Sequence, residues 1–189
     1  AVSNYNGSVE NRDIMYRNIV NNLLNKGEFN KAEEAANLWI EALPQSELAK
    51  INLIKTYELS NKFSEAFEFI STSIKDIKQS APLEIIYAQY LVSYDKHNEA
   101  EDVISQLPEQ IQSLDVVKGI KGEIALNNGN AVQALEGLLP NYLSTPSERN
   151  ALLVYTAYKQ KGDTGKAIEF LEEHIKTQQN DFNVINVLA

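Results

Sequence analysis

The residues able to do chemistry in this chain are few, and their spacing works against them. There is no cysteine, which excludes disulfides, thiolate nucleophiles and Cys-ligated metals. The only histidines are His97 and His174. One falls at a turn and the other in a helix two repeat units further on, so no metal-ligand spacing arises. Glu33-Glu34 and Glu172-Glu173 pair carboxylates in sequence, yet neighbouring residues on a helix diverge by about 100°, so neither pair forms an acid–base dyad. Gly162-Asp163-Thr164-Gly165-Lys166 has the composition of a phosphate loop. It lacks the required spacing, Ala167 stands where a hydroxyl is needed, and no strand precedes it. Asn6-Gly7-Ser8 matches a glycosylation acceptor, which matters only in a eukaryotic secreted protein. Nothing assembles a nucleophile with a base and an oxyanion site. The sequence reads as that of a non-enzyme with no cofactor and no metal.

Charge narrows the partners. Lys and Arg number 17 against 26 Asp and Glu, a net charge of −9. Such a surface repels phosphate backbones and anionic lipid, which argues against nucleic acid and membrane surfaces. No stretch reaches the roughly 18 apolar residues that cross a bilayer, so we expect a soluble chain. Both cytoplasm and periplasm are compatible with the absence of Cys, and the compartment stays open.

The elements that carry these residues are set by a repeat. Ala32, Ala66, Ala100 and Ala134 are spaced by 34, and Ala167 follows 33 later. Four residues after each come Ala36, Ile70, Ile104, Leu138 and Leu171, so each pair shares one helix face. Five residues before each stand Gly27, Asn61, Asp95, Gly129 and Gly162, the residue types that tolerate a left-handed turn. Upstream of each turn lies a second amphipathic stretch, such as Tyr16, Ile19, Val20 and Leu23, or Ala151, Val154, Tyr155 and Tyr158. The fourth unit is the weakest, with Lys121 where the others are apolar and Ile120 and Ile124 beside it. Pro44, Pro82 and Pro146 punctuate the junctions, while Pro108 and Pro140 should shorten or kink their second helices. This predicts helices near 10–25, 29–42, 46–59, 63–77, 82–94, 97–107, 113–127, 130–142, 147–160 and 164–178, with another starting at 182. Residues 1–9 are polar and expected to fray.

A helix pair of this length, with Gly at the turn, an aromatic two residues on and Ala three beyond, resembles a tetratricopeptide repeat. Lys26-Gly27-Glu28-Phe29-Asn30-Lys31-Ala32 is the best copy, Asn61-Lys62-Phe63-Ser64-Glu65-Ala66 is similar, and Gly162 to Ala167 is a looser one. The resemblance runs from about residue 13 to 180. His97, Ala131 and Thr164 replace the turn aromatic, and Trp39 stands where the family has a small residue. The pentatricopeptide alternative, which reads RNA, is disfavoured by the spacing and the acidic composition. The resemblance implies an all-α fold, a right-handed superhelical solenoid of antiparallel helix pairs. It divides the chain into a tail over 1–9, five repeats over 10–180 and the start of a further or capping helix over 181–189.

The resemblance also implies a concave peptide-binding groove lined by the first helix of each pair. Carried over by position, its residues are Arg17, Asn21 and Asn25, then Ile51, Asn52, Lys55 and Glu58, then Ile85, Gln89 and Ser93. Gly119, Glu123 and Asn127 follow, then Leu152, Thr156 and Lys159. Amides that donate and accept suit the backbone of an extended peptide, with Ile51, Ile85 and Leu152 as apolar anchors. Chaperone adaptors of this family clamp a terminal carboxylate with five such positions. Arg17, Asn21 and Asn52 match three of them, but Pro82 and Ile86 take the charged last two, so that ligand is not expected. Gly119 and Gly122 admit either close approach of a ligand or tight helix packing, packing being preferred for Gly122.

The expected function is a scaffold or adaptor that binds a protein or peptide partner. The alternative is a structural segment of a longer repeat protein, such as an assembly or secretion factor. A first residue other than Met and the short apolar run after Asp181 favour a fragment. Phe182, Ile185 and Leu188 would then lie uncovered and drive end-to-end self-association.

Overall fold

The structure, a computed structural model, describes residues 8–74 and 80–189. The expectations placed on residues 1–7, and on the end of the helix expected over 63–77, lie outside them. The chain divides into two compact units, Ala1–Tyr87 and Ala88–Ala189, each described by itself.

The first unit holds α1 (Val9–Asn25), α2 (Phe29–Ala42), α3 (Glu47–Leu59), α4 (Phe63–Ser73) and the first turns of α5 (Ala81–Ser93). Ser8 starts α1 by accepting from the Asn11 amide at 3.3 Å, so the helix begins inside the span expected to fray. The rest of α5 belongs to the second unit. There it is followed by α6 (His97–Ser105), α7 (Glu109–Gln112), α8 (Asp115–Asn127), α9 (Ala131–Ser144), α10 (Glu148–Lys161), α11 (Thr164–Thr177) and α12 (Phe182–Leu188).

Two sequence signals translate directly into structure. The five residues expected to turn left-handed do so, with φ of 71° at Gly27, 59° at Asn61, 58° at Asp95, 79° at Gly129 and 91° at Gly162. After each, the next amide reaches back to a carbonyl five residues earlier, as in Glu28 to Leu23 at 3.0 Å and Asp163 to Tyr158 at 2.9 Å. That bond closes the last turn and stops the helix. The five alanines that set the period are all fully buried, as are their partners Ala36, Ile70, Ile104, Leu138 and Leu171. A small residue there lets two helices of a pair approach, and the larger apolar residue one turn on fills the space behind it.

Trp39 is fully buried and stacks on Tyr16 with ring centroids 5.9 Å apart, in a core with Val20, Leu24, Ala36 and Leu53. Its indole Nε1 donates to Asp13 at 2.7 Å, and Ser46 donates to the same carboxylate oxygen at 2.6 Å. Ser46 is also the N-cap of α3, accepting from the Ala49 amide. One carboxylate in the first turns of α1 thus ties the end of α2 to the start of α3. The arrangement recurs one period later, where Ser80 donates to Glu47 and accepts from the Leu83 amide.

The second unit departs from the expected helices at one place, the junction after α6. Pro108 ends α6 after nine residues, and the chain makes the extra single turn α7 before α8 begins at Asp115. Pro140, expected to shorten or kink its helix, is carried inside α9, which continues to Ser144. The missing amide costs one ladder bond, but the buried face of Ala134, Leu135 and Leu138 holds the helix against α8. Gly119 is not open to a ligand: a Cβ there would fall 2.5 Å from the Asn141 amide. At Gly122 a Cβ would meet the Ala134 carbonyl at 2.9 Å, and at Gly137 it would collide with the Lys118 carbonyl. These glycines bring α8 and α9 into backbone contact.

Candidate binding surface

In the first unit the expected groove residues come from α1, α3 and the start of α5. Arg17, Asn25 and Lys55 are exposed, and Asn21, Ile51 and Ile85 are half-buried. Their polar side chains make no hydrogen bond or ion pair among the described residues. Asn52 differs. It is buried, and its amide nitrogen donates to the Leu48 carbonyl of its own helix at 2.8 Å. That spends a donor which a carboxylate clamp would need for its ligand.

In the second unit Gln89, Asn127 and Lys159 are exposed and likewise uncommitted. Leu152 is half-buried, and Thr156 returns its hydroxyl proton to the Leu152 carbonyl at 2.7 Å. Glu123 is already occupied. Arg149, from the first turn of α10, grips it with both terminal nitrogens at 2.8 and 2.6 Å, the two-pronged geometry that suits guanidinium and carboxylate. Arg149 is not among the expected groove residues. Nothing in the 34-residue pattern marks it, because the pair joins different positions of two repeats.

The histidines lie where chemistry is hard to reach. His174 is 1% exposed, between the Tyr142 hydroxyl at 3.0 Å on Nδ1 and the Asp181 carboxylate at 2.7 Å on Nε2. A carboxylate only accepts, so Nε2 carries a proton and donates to Asp181, while Nδ1 pairs with the Tyr142 hydroxyl. Burial pushes the Tyr142 phenol above its ordinary range, and the charges of Glu173 and Asp181 add to the shift. His174 follows Ala167 by seven residues, as Trp39 follows Ala32, but His174 reaches Asp181 at the start of the next helix, α12, whereas Trp39 reaches Asp13 back in α1. The triad is a junction that seats α12. His97 lies 3.9 Å from the Asp95 carboxylate, and its Nδ1 is buried with no hydrogen-bond partner among the described residues. No cluster of metal-ligating side chains occurs among the described residues, and no helix among them is long and apolar enough to cross a membrane.

The end of the chain is only partly as expected. Phe182 is 70% exposed and Ile185 37%. Leu188, expected to lie bare with them, instead packs with Val184 against Ala151 and Leu171. The period of the helix turns 184 and 188 inward together.

No family model matches the sequence, and no curated protein matches it. Solved structures do. A chain of the APC/C hetero-tetramer Cut9-Hcn1 superposes with a TM-score of 0.79 at 14% identity, over 93% of this chain and 35% of that one. This chain therefore spans about a third of that neighbour's length. YrrB, described as a TPR protein with an unusual peptide-binding site, gives a TM-score of 0.58 at 18% identity, over 94% and 93% of the two chains. A tetratricopeptide repeat protein from Parabacteroides merdae ATCC 43184 gives 0.61 at 14% identity, over 93% and 70%. The chain has a tetratricopeptide-like, all-helical repeat fold.

Proposed function

We propose that the chain is a protein-interaction scaffold that docks an extended peptide or a helix of a partner protein on the exposed face of its first helices. The observation that carries this reading is the set of uncommitted polar side chains on that face. Arg17, Asn21, Asn25 and Lys55 in the first unit satisfy no group among the described residues, while the half-buried Ile51 and Ile85 offer apolar seats. An extended backbone presents unpaired N–H and C=O groups, and amide side chains answer both. Gln89, Asn127 and Lys159, with Leu152, offer the same chemistry in the second unit. The fold it shares with YrrB, itself described as having a peptide-binding site, supports the reading by likeness of architecture.

The test is a pull-down from source-cell extract with the wild type and with Asn21→Asp, Asn25→Asp, Ile85→Asp, the variant first shown helical by circular dichroism. A partner held by the wild type and lost by the variant supports docking on this face. A partner held equally by both removes these residues from the site.

A second reading, a structural segment that acts through its ends, is supported by exposed Phe182 and Ile185. Sedimentation of the wild type against Phe182→Asp, Ile185→Asp distinguishes it. Association abolished by the variant favours this reading, and two monomers exclude it.

A further inference from the structure

Between α6, α7, α8 and the first turn of α9, the second unit forms an open cleft of about 330 Å³. On its wall stands the residue that weakens the fourth repeat in sequence. Ile19, Leu53 and Tyr87 recur at intervals of 34, and the next place in that series is Lys121. In α3 the equivalent Leu53 is 1% exposed, filling space between helices. Lys121 instead extends to the Gln112 side-chain oxygen at 2.9 Å. Gln112 is itself fixed, its amide nitrogen donating to the Leu107 carbonyl at 2.8 Å and to the Ser105 carbonyl at 3.3 Å. Lys121 is exposed, so a held ammonium, and not a packed apolar side chain, stands on the wall of the cleft.

The rest of the lining has a definite chemistry. Ile104 and Ile124 are buried at 1% and 6% exposure and form an apolar floor. Lys121 has two N–H donors left after Gln112. Glu101, on α6, lines the same cleft and its carboxylate has no hydrogen bond or ion pair among the described residues. Gln133 gives its oxygen to Asn130 at 2.9 Å and keeps its own N–H groups. The wall therefore offers one cation, one free carboxylate and spare amide donors above an apolar base.

We propose that this cleft binds a zwitterionic small molecule of the α-amino-acid class. The carboxylate is received by Lys121 with Gln133, the ammonium by Glu101, and an aliphatic side chain rests on Ile104 and Ile124. A lone anion would satisfy Lys121 but face Glu101, and a lone cation would meet the reverse penalty. Only a ligand with both charges answers both walls. The size agrees, since the volume lies at the low end of small-ligand sites, which span roughly 300–1,000 Å³. The site is independent of the peptide-docking face, so the two proposals stand or fall separately.

The test uses the full chain, titrated calorimetrically with L-leucine, L-valine and L-methionine. 4-Methylpentanoate and isoamylamine serve as comparators lacking one charge each. Saturable binding of an amino acid, about tenfold or more weaker for each comparator, is expected from loss of a charge-assisted bond. Lys121→Met and Glu101→Gln should each weaken it by a similar factor, while Lys166→Met, at an exposed position of α11 outside the lining, should leave it unchanged. Circular dichroism verifies the folding of Lys121→Met, and Glu101→Gln, at an exposed position, carries the test if that variant unfolds. No saturable binding of any of the three up to about 10 mM, or equal binding of either comparator, overturns the proposal.

Discussion

Ser46 donates to the Asp13 carboxylate at 2.6 Å across 33 residues of chain, and the same oxygen takes the buried Trp39 indole. Ser46 also caps α3. Loss of its hydroxyl therefore removes a helix cap and a junction bond together. We expect Ser46→Ala to cost about 1–2 kcal/mol. Asp13→Ala should cost about 2–3 kcal/mol, because it strands a buried indole N–H. Urea unfolding of the two single variants and the double variant checks this, with a double-mutant coupling well above zero expected.

Gly162 and Gly165 lie three residues apart and should respond to alanine with opposite sign. Gly162 holds φ at 91°, and a methyl placed there would have nothing within 4 Å, so conformation alone opposes Ala, by about 1 kcal/mol. Gly165 has equal space but sits in the first turn of α11, where Ala gains about 0.5 kcal/mol. Thermal melts of the two variants should move in opposite directions.

Gly137→Ala drives a methyl into the Lys118 carbonyl, a backbone atom that cannot rotate away. We expect a loss of about 3 kcal/mol, with the second unit's amides exchanging faster by hydrogen-exchange mass spectrometry. An unchanged exchange pattern would mean that α8 and α9 separate at little cost.

Tyr142 and Tyr57 should titrate above the ordinary tyrosine value when phenolate absorbance is followed upward in pH. Burial is the first cause for both, and Glu33 reinforces it at Tyr57. Because these phenols hold their protons more tightly when folded, their stabilisation is complete below the unfolded value of ~10. It is lost as pH rises through the higher folded value. In Tyr142→Phe the hydrogen bond to His174 is gone, and α12 should exchange its amides faster at neutral pH while α10 is unaffected.

Whether a residue's place is legible in the sequence depends on whether it obeys the period. Turn residues and core alanines obey it, because each repeat faces the same packing problem. Ten of the eleven expected helix positions need only small adjustments of their ends, and one runs into residues the structure does not describe. The acid–serine junctions also obey it, Ser46 and Ser80 being 34 apart, but an acid and a serine are common enough to pass unnoticed without coordinates. What breaks the period is hidden. Asn52 fits the groove by position, yet its side chain turns back to Leu48. Arg149 carries no signal because its pairing with Glu123 is particular to one junction. For Pro140, local propensity points one way and packing of the α9 face decides the other.

Pro108 shortens a helix without changing the length of its repeat. Ala100 and Ala134 keep the spacing of 34, although α6 has nine residues where α9 and α11 have fourteen. The short turn α7 is thus built from residues that elsewhere would extend the second helix, not from an insertion. The cleft beside Lys121 is formed at constant register, by the residue types at positions such as 108, 112 and 121. A lineage carrying this fold can gain or close such a cleft through point substitutions alone, without an insertion or deletion that would force neighbouring repeats to realign.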